Sequence, residues 1–269
     1  MFRKKSLGQH FLRSAHYLSL IANAAEVAAG DTILEIGPGE GALTEVLLSR
    51  SARVVAVEKD RRLIPLLKEK FSKEKFALHE ADVLEIPISK LKLPREYKIA
   101  ANIPYYITGA LLKKFLSAKQ QPSTLVFLVQ KEVAERVARS TKESILSLSV
   151  KAYGTPRYLK TVPRGAFSPP PKVDSAILLV ENISRKNFTG ARHEKRFFEL
   201  VRASFAHKRK RLASNLAPLL GKEHSHILQN VGISENARAE DVPLPQWLAL
   251  SAIIGGCWRR HRSPASHTK

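Results

Sequence analysis

The 269-residue sequence holds a single cysteine, Cys257. One thiol excludes an internal disulfide framework and a Cys-rich zinc site, and it fits a reducing compartment. Long hydrophobic runs are missing too. The longest apolar stretches, Leu125 to Val129 and the interrupted run Trp247 to Trp258, fall far short of the ~20 residues a spanning helix needs. Met1-Phe-Arg-Lys-Lys opens like a signal peptide, but Gln9, His10, Arg13 and His16 interrupt any apolar core. A cytoplasmic protein that does not enter a membrane is expected. Acids are scarce: 24 Asp and Glu stand against 45 Lys and Arg, a net charge of +21. That excess points to a polyanion, nucleic acid or an anionic membrane surface. With 44% hydrophobic residues the chain is a folded protein rather than a basic tail. Its length suits one large or two ordinary domains.

Short apolar runs alternate with helical spacing through most of the chain. Thr32 to Ile36, Val54 to Val57, Phe76 to His79, Lys98 to Ala101 and Leu125 to Val129 read as strands. Leu43 to Leu48, Leu63 to Lys70 and Leu111 to Leu116 read as helices between them. This rhythm predicts an α/β fold with a parallel sheet and helices on both faces. Tyr158 to Val162 and Ala176 to Val180 follow without a long helix between them, so an antiparallel pair at one edge is expected. After the polar stretch 181–190 the pattern becomes helical. Phe197, Leu200, Val201 and Phe205, then Leu212, Leu216 and Leu219, repeat at three and four. Ile227 to Val231 and Trp247 to Ile254 give two more short helices. The expected division is 1–184 and 185–269, the second part all-helical.

Glu35-Ile-Gly-Pro-Gly-Glu-Gly-Ala follows the first strand of the sheet and opens a helix. Glycines at 37, 39 and 41 let the backbone approach a ligand closely. Glu58 ends the next strand, where an acid can accept hydrogen bonds from both ribose hydroxyls of an adenosine cofactor. Asp82 ends the third, where a carboxylate can receive the adenine amino group. The loop also satisfies the dinucleotide fingerprint. Glu40 turns the choice from NAD toward S-adenosylmethionine, because a carboxylate there repels a pyrophosphate and tolerates a sulfonium. Glu35 either faces that positive charge or ties down the loop.

Asn102-Ile-Pro-Tyr follows the fourth strand. An exocyclic adenine or amide nitrogen is hard to methylate because its lone pair is delocalised. The Asn102 side-chain carbonyl and a nearby backbone carbonyl can accept its two N–H bonds and aim the lone pair at a methyl group. Pro104 fixes the backbone, and Tyr105 offers a face for a flipped base. This chemistry needs positioning but no nucleophile and no metal.

With these residues in order, the chain resembles the ribosomal RNA adenine dimethyltransferases, most closely the small-subunit, kasugamycin-sensitivity type. The resemblance is carried by Lys5-Ser-Leu-Gly-Gln-His-Phe-Leu, the Gly loop, Glu58-Lys-Asp, Ala81-Asp-Val and Asn102-Ile-Pro-Tyr-Tyr-Ile-Thr. Gln130-Lys-Glu-Val-Ala-Glu-Arg, Phe167-Ser-Pro-Pro-Pro-Lys-Val-Asp-Ser-Ala and Phe205-Ala-His-Lys-Arg-Lys-Arg-Leu-Ala-Ser-Asn-Leu complete it. It implies a Rossmann-like class I S-adenosylmethionine-dependent methyltransferase sheet in 1–184 and a small helical RNA-binding domain in 185–269. Cofactor contacts would fall on His10, Leu12, Gly37, Glu58, Asp82 and Asn102. The family more often has Asn where this chain has His10. Asn102 and Tyr105 would hold the target adenine, with Phe167 as a second aromatic sandwiching it or, alternatively, a core residue. The implied substrate is two adjacent adenosines in the hairpin loop near the 3′ end of small-subunit rRNA, within a partly assembled subunit. A monomer is expected, and no DNA partner.

The positive charge is uneven. From Arg185 to Arg211 ten Lys or Arg stand against two acids. His207-Lys-Arg-Lys-Arg could contact RNA phosphates or be a solvated helix face. Lys113, Lys114 and Lys119 would add charge near the catalytic motif, and Arg259, Arg260 and Arg262 form a basic tail. Other readings are a large-subunit dimethyltransferase of the macrolide-resistance type, a non-catalytic assembly factor and an NAD-dependent oxidoreductase.

Overall fold

Runs such as Leu125-Val-Phe-Leu-Val have no polar face to show water, so they form strands only where both sides of a sheet are covered. A computed structural model describes residues 10–50, 52–72, 75–221 and 224–254. In chain order its elements are β1 (Phe11–Leu12), α1 (Ala15–Ala24), β2 (Thr32–Ile36), α2 (Ala42–Ser49), β3 (Arg53–Glu58), α3 (Ile64–Lys70), β4 (Phe76–Glu80), β5 (Lys98–Asn102), α4 (Thr108–Leu116), β6 (Thr124–Gln130), α5 (Lys131–Ala138), α6 (Ile145–Lys151), β7 (Thr155–Val162), β8 (Phe167–Ser168), β9 (Ser175–Glu181), α7 (Ala191–Ser204), α8 (Leu212–Leu220), α9 (His224–Asn230) and α10 (Leu244–Ile253). The chain divides into two compact units, Met1–Arg139 with Tyr153–Ser184, and Ser140–Ala152 with Arg185–Lys269.

The first unit carries a seven-stranded sheet in the order β4-β3-β2-β5-β6-β9-β7. The first five strands of that order are parallel. β9 runs antiparallel to both β6 and β7, so β7 forms the edge and β9 lies one strand inside it. Val54, Ala56, Ala100, Val126 and Leu128 join Leu18, Ile21, Leu43 and Leu47 of α1 and α2 in one core. Val55, Val57, Ile99, Ala101, Leu125 and Phe127, of the opposite parity, are buried as well. Alternation along a strand sends the two sets to opposite faces, so both faces are covered. Strand order reverses at β2, with β3 and β4 on one side and β5 on the other, which opens a crevice at the carboxyl ends of these strands. β1 lies outside the sheet and pairs with β8, Phe11 opposite Ser168 and Leu12 opposite Phe167.

The second unit is helical. Phe197, Leu200, Val201 and Ser204 form the buried stripe of α7, which packs on α10, α8 and α6. Leu212, Leu216 and Leu220 face inward from α8, so Leu220, not Leu219, ends that stripe. Trp247 is fully buried, and its indole N–H donates to the Val242 carbonyl at 2.8 Å. α6 is grouped with these helices although it precedes β7 in the chain. Among the described residues no helix is long and apolar enough to cross a membrane.

Candidate active site

A cavity of about 360 Å³ opens at the carboxyl ends of β2, β3 and β5 and beyond the end of β4. The loop from β2 to α2 forms its floor. Gly37, Gly39 and Gly41 all have positive φ, +66°, +62° and +84°. At Gly39 the demand is also steric: a Cβ there would sit 2.8 Å from the ring of Phe11.

Glu58, at the end of β3, is only 6% exposed. Its two carboxylate oxygens accept from the Gly39 N–H at 3.1 Å and the Asp60 N–H at 2.8 Å. The acid thereby fixes the glycine loop across 19 residues of chain. Burial pushes its carboxyl above the ordinary range, opposed by these N–H groups. Asp82 has the opposite balance. Burial alone would raise it, but the hydrogen bond from Lys59, the Leu84 N–H and the Lys59 charge outweigh burial and hold it low. Lys59 Nζ lies 2.6 Å from one oxygen, and the Leu84 N–H donates to the other at 2.8 Å.

Glu35 is fully enclosed behind the loop. Its carboxylate oxygen accepts from the Thr44 hydroxyl at 2.6 Å. Burial, with the charge of Glu58 adding to it and the Thr44 bond opposing, pushes its carboxyl up to about 8. The tie between β2 and α2 is therefore on view, and the group is largely protonated at neutral pH. The folded chain keeps a proton that the unfolded chain, with the ordinary carboxyl value of 4.5, releases. Stability from this group is complete below about 4.5 and is lost as pH rises through about 8. Glu35→Gln should flatten that decline in urea unfolding measured across this window. An identical decline in both proteins would refute the assignment.

The N-terminal segment crosses the mouth of the cavity. Arg13 pairs with Glu40 of the glycine loop at 2.7 Å, so the charge of Glu40 is already matched within the chain. The Arg13 N–H donates to the Ala166 carbonyl at 3.0 Å. His10 Nδ1 lies 2.9 Å from the Pro169 carbonyl oxygen. Asn102 Nδ2 donates to the His10 carbonyl at 2.9 Å. The other amide atom, the Oδ1 acceptor, is left for a ligand.

Tyr105 begins a single 3-10 turn, Tyr105–Ile107, after Pro104. Its hydroxyl shares a 2.5 Å hydrogen bond with that of Ser175, and its carbonyl accepts from the Thr108 hydroxyl at 3.0 Å. Burial raises its phenol above the usual value. The Pro104 carbonyl accepts the Ile107 N–H at 3.2 Å and keeps a second lone pair.

His10, Leu12, Gly37, Glu58, Asp82, Asn102 and Tyr105 thus line one cavity. Phe167 does not. It is 5% exposed and sits in the core with Leu12, Leu18 and Ile177, because its pairing with β1 turns it inward. Lys114 does bring its charge beside the cavity, where it helps to lower Asp82; its ammonium also donates to the Leu84 and Ile86 carbonyls at 3.1 and 2.6 Å, and so holds the loop after Asp82. Sequence reasoning passed over Tyr106, 69% exposed on the cavity rim. A second large aromatic beside Tyr105 was its only signal. Lys5 to Gln9 of the N-terminal box, Cys257 and the tail arginines lie outside the described residues.

The sequence profile of one family, described as ribosomal RNA adenine dimethylase, matches residues 2–255. The chain belongs to that family. A curated relative, ribosomal RNA small subunit methyltransferase A of Dehalococcoides mccartyi (strain CBDB1), is 44% identical over 259 residues, 94% of this chain and 89% of the relative. Among solved structures, a dimethyladenosine transferase from Plasmodium falciparum matches with a TM-score of 0.79 and 25% identity, covering 92% of this chain and 98% of that one. The 23S rRNA methyltransferase ErmE matches with a TM-score of 0.74 and 28% identity, covering 90% and 98%. The family fold is the Rossmann-like α/β methyltransferase sheet with C-terminal helices, and family members are adenine dimethyltransferases.

Proposed function

We propose that this chain transfers methyl groups from S-adenosylmethionine to N6 of two adjacent adenosines in the 3′-terminal hairpin loop of 16S rRNA, giving N6,N6-dimethyladenosines. The observation that carries this reading is one cavity lined by Glu58, Asp82 and Asn102, with the Asn102 amide N–H already bonded and its carbonyl left over. The donor set fits the cofactor: two carboxylates for ribose and adenine, and a backbone cradle whose Gly37 and Gly39 both have positive φ, with no room for a Cβ between Gly39 and the Phe11 ring. When bound, S-adenosylmethionine supplies a methyl group on a sulfonium centre. Glu58 binds ribose hydroxyls. Asp82 takes the adenine amino group in place of Lys59. Leu12 and His10 close the mouth. Asn102 Oδ1 and a backbone carbonyl beside Pro104 accept the two N–H bonds of the target nitrogen, and Tyr105 stacks on the base. Phe167 supports Leu12 from behind in the arrangement described, instead of sandwiching the base.

Residues 1–184 would bind the donor and carry out the reaction, and 185–269 would bind RNA as part of a monomer acting in the cytoplasm on a partly assembled small subunit. Support for the RNA role comes from 206–211, every residue of which is exposed. Asn215 braces this turn by donating to the Ser204 and His207 carbonyls at 2.7 and 3.1 Å. Charge reversal at Lys208 and Arg209 should weaken subunit binding and lower the slope of log K against log salt by about 2, roughly one per lost phosphate contact. An unchanged slope would leave this run a solvated surface.

Purified small subunits lacking these methyl groups, incubated with radiolabelled donor, test the whole reading. Label should enter the 3′-terminal hairpin. Label confined to large-subunit RNA would transfer the assignment to the other branch of the family.

A further inference from the structure

We infer that His10 is a positioning residue for the methyl-acceptor half of the site, acting through Asn102 and Tyr105. The inference rests on the reading of Asn102 as the group that holds the target nitrogen. The main-chain carbonyl of His10 accepts from the Asn102 amide at 2.9 Å. A carbonyl only accepts, so the amide must present Nδ2 to it, and Oδ1 is turned the other way. The orientation of the catalytic amide is thus set from the N-terminal segment.

The side chain of the same residue fixes where that carbonyl sits. Pro169 offers only an acceptor, so His10 Nδ1 carries the proton and donates to it at 2.9 Å. The imidazole also lies nearly parallel to the Tyr105 ring, with centroids 6.1 Å apart and planes 22° apart, within the range of aromatic contact. Tyr105 in turn is held by Ser175 at 2.5 Å. One residue therefore connects three groups: through its carbonyl the amide expected to orient the nitrogen, and through its imidazole the ring expected to stack on the base and the segment 169–175. A residue whose only task was to touch the cofactor would not need the bond to Pro169 or the parallel ring.

The test uses the full-length chain, with S-adenosylmethionine affinity by calorimetry and steady-state kinetics on unmethylated small subunits. His10→Ala should lower kcat at saturating donor by roughly tenfold, as expected for a loosened reacting group, over and above any loss of donor affinity, with subunit KM changed less than about twofold. His10→Asn, whose amide N–H can still reach Pro169, should recover kcat to within about threefold of wild type, by the same positioning argument. His10→Phe keeps a ring on Tyr105 but has no donor, and should resemble His10→Ala. Thermal unfolding of each variant near the wild-type midpoint guards against a folding defect. The inference is overturned if His10→Ala keeps full kcat, if His10→Phe does, or if its whole defect is weaker donor binding. Asn102→Ala separates the two levels. If that variant is inactive while His10→Ala is normal, only the role of His10 falls; if it is active, the reading of Asn102 itself falls.

Discussion

Asn102→Ala will reduce methyl transfer by on the order of 10³, comparable to removal of one preorganised hydrogen-bonding group elsewhere, while subunit binding stays within about twofold. The loss is large because Asn102 contributes geometry that nothing nearby can replace. Its carbonyl is the side-chain acceptor left in the motif once Nδ2 is spent on His10. The second acceptor, a main-chain carbonyl beside Pro104, holds one N–H and leaves the nitrogen free to rotate. Asn102→Asp tests the same point without a change of volume. A carboxylate would set an acceptor against the His10 carbonyl, so the strap and the amide position should both suffer, and little activity should return. Single-turnover methylation at saturating donor measures both variants. Full activity in Asn102→Ala would remove the residue from the mechanism.

The second large effect is expected at Glu58. Its replacement by Ala should weaken S-adenosylmethionine binding by about 3 kcal/mol, more than a hundredfold, from the loss of a charge-assisted contact and two buried N–H partners. The partners matter because Gly39 N–H and Asp60 N–H each lose their acceptor, and the glycine loop is released with them. Glu58→Gln is an informative companion. Both wild-type oxygens accept from backbone N–H groups, so an amide must press its own NH₂ against one of them. It should recover little of the affinity despite its matching shape. Calorimetry with S-adenosylmethionine decides this, and the same titration with NAD tests the oxidoreductase reading. An unchanged donor affinity in Glu58→Ala would contradict the ribose role.

Much of this architecture was legible because it is written in local pattern. Apolar runs separated by helical spacing marked the parallel strands, and three closely spaced glycines marked a turn with repeated positive φ. Glu58, Asp82 and Asn102 follow strand ends, so strand order alone predicted that they share a crevice. What escaped depended on distant neighbours. β1 and β8 are two residues each, too short for any periodicity, and only their pairing reveals that Phe167 turns into the core. Arg13 and Lys59 look like ordinary surface cations until Glu40 and Asp82 are found beside them. The proton on Glu35 follows from complete burial, which no spacing encodes. α6 escaped as well: Leu146-Ser-Leu-Ser-Val alternates with the period of a strand, and its helix and the unit it joins depend on packing against α7.

That last feature bears on how the protein is made. The chain enters its helical unit twice, at Ser140–Ala152 and again from Arg185. As synthesis proceeds, α6 emerges before β7 and β9, while α7, against which it packs, has yet to be made. The sheet can close while Leu148 and Val150, buried in the finished protein, wait for that later helix; domains complete in the order their last residues appear. A polypeptide ended after Ser184 would hold every strand of the sheet and strand this one helix. The C-terminal helices are therefore not a cassette that evolution or an engineer can detach at one junction, because the segment between α5 and β7 has to travel with them.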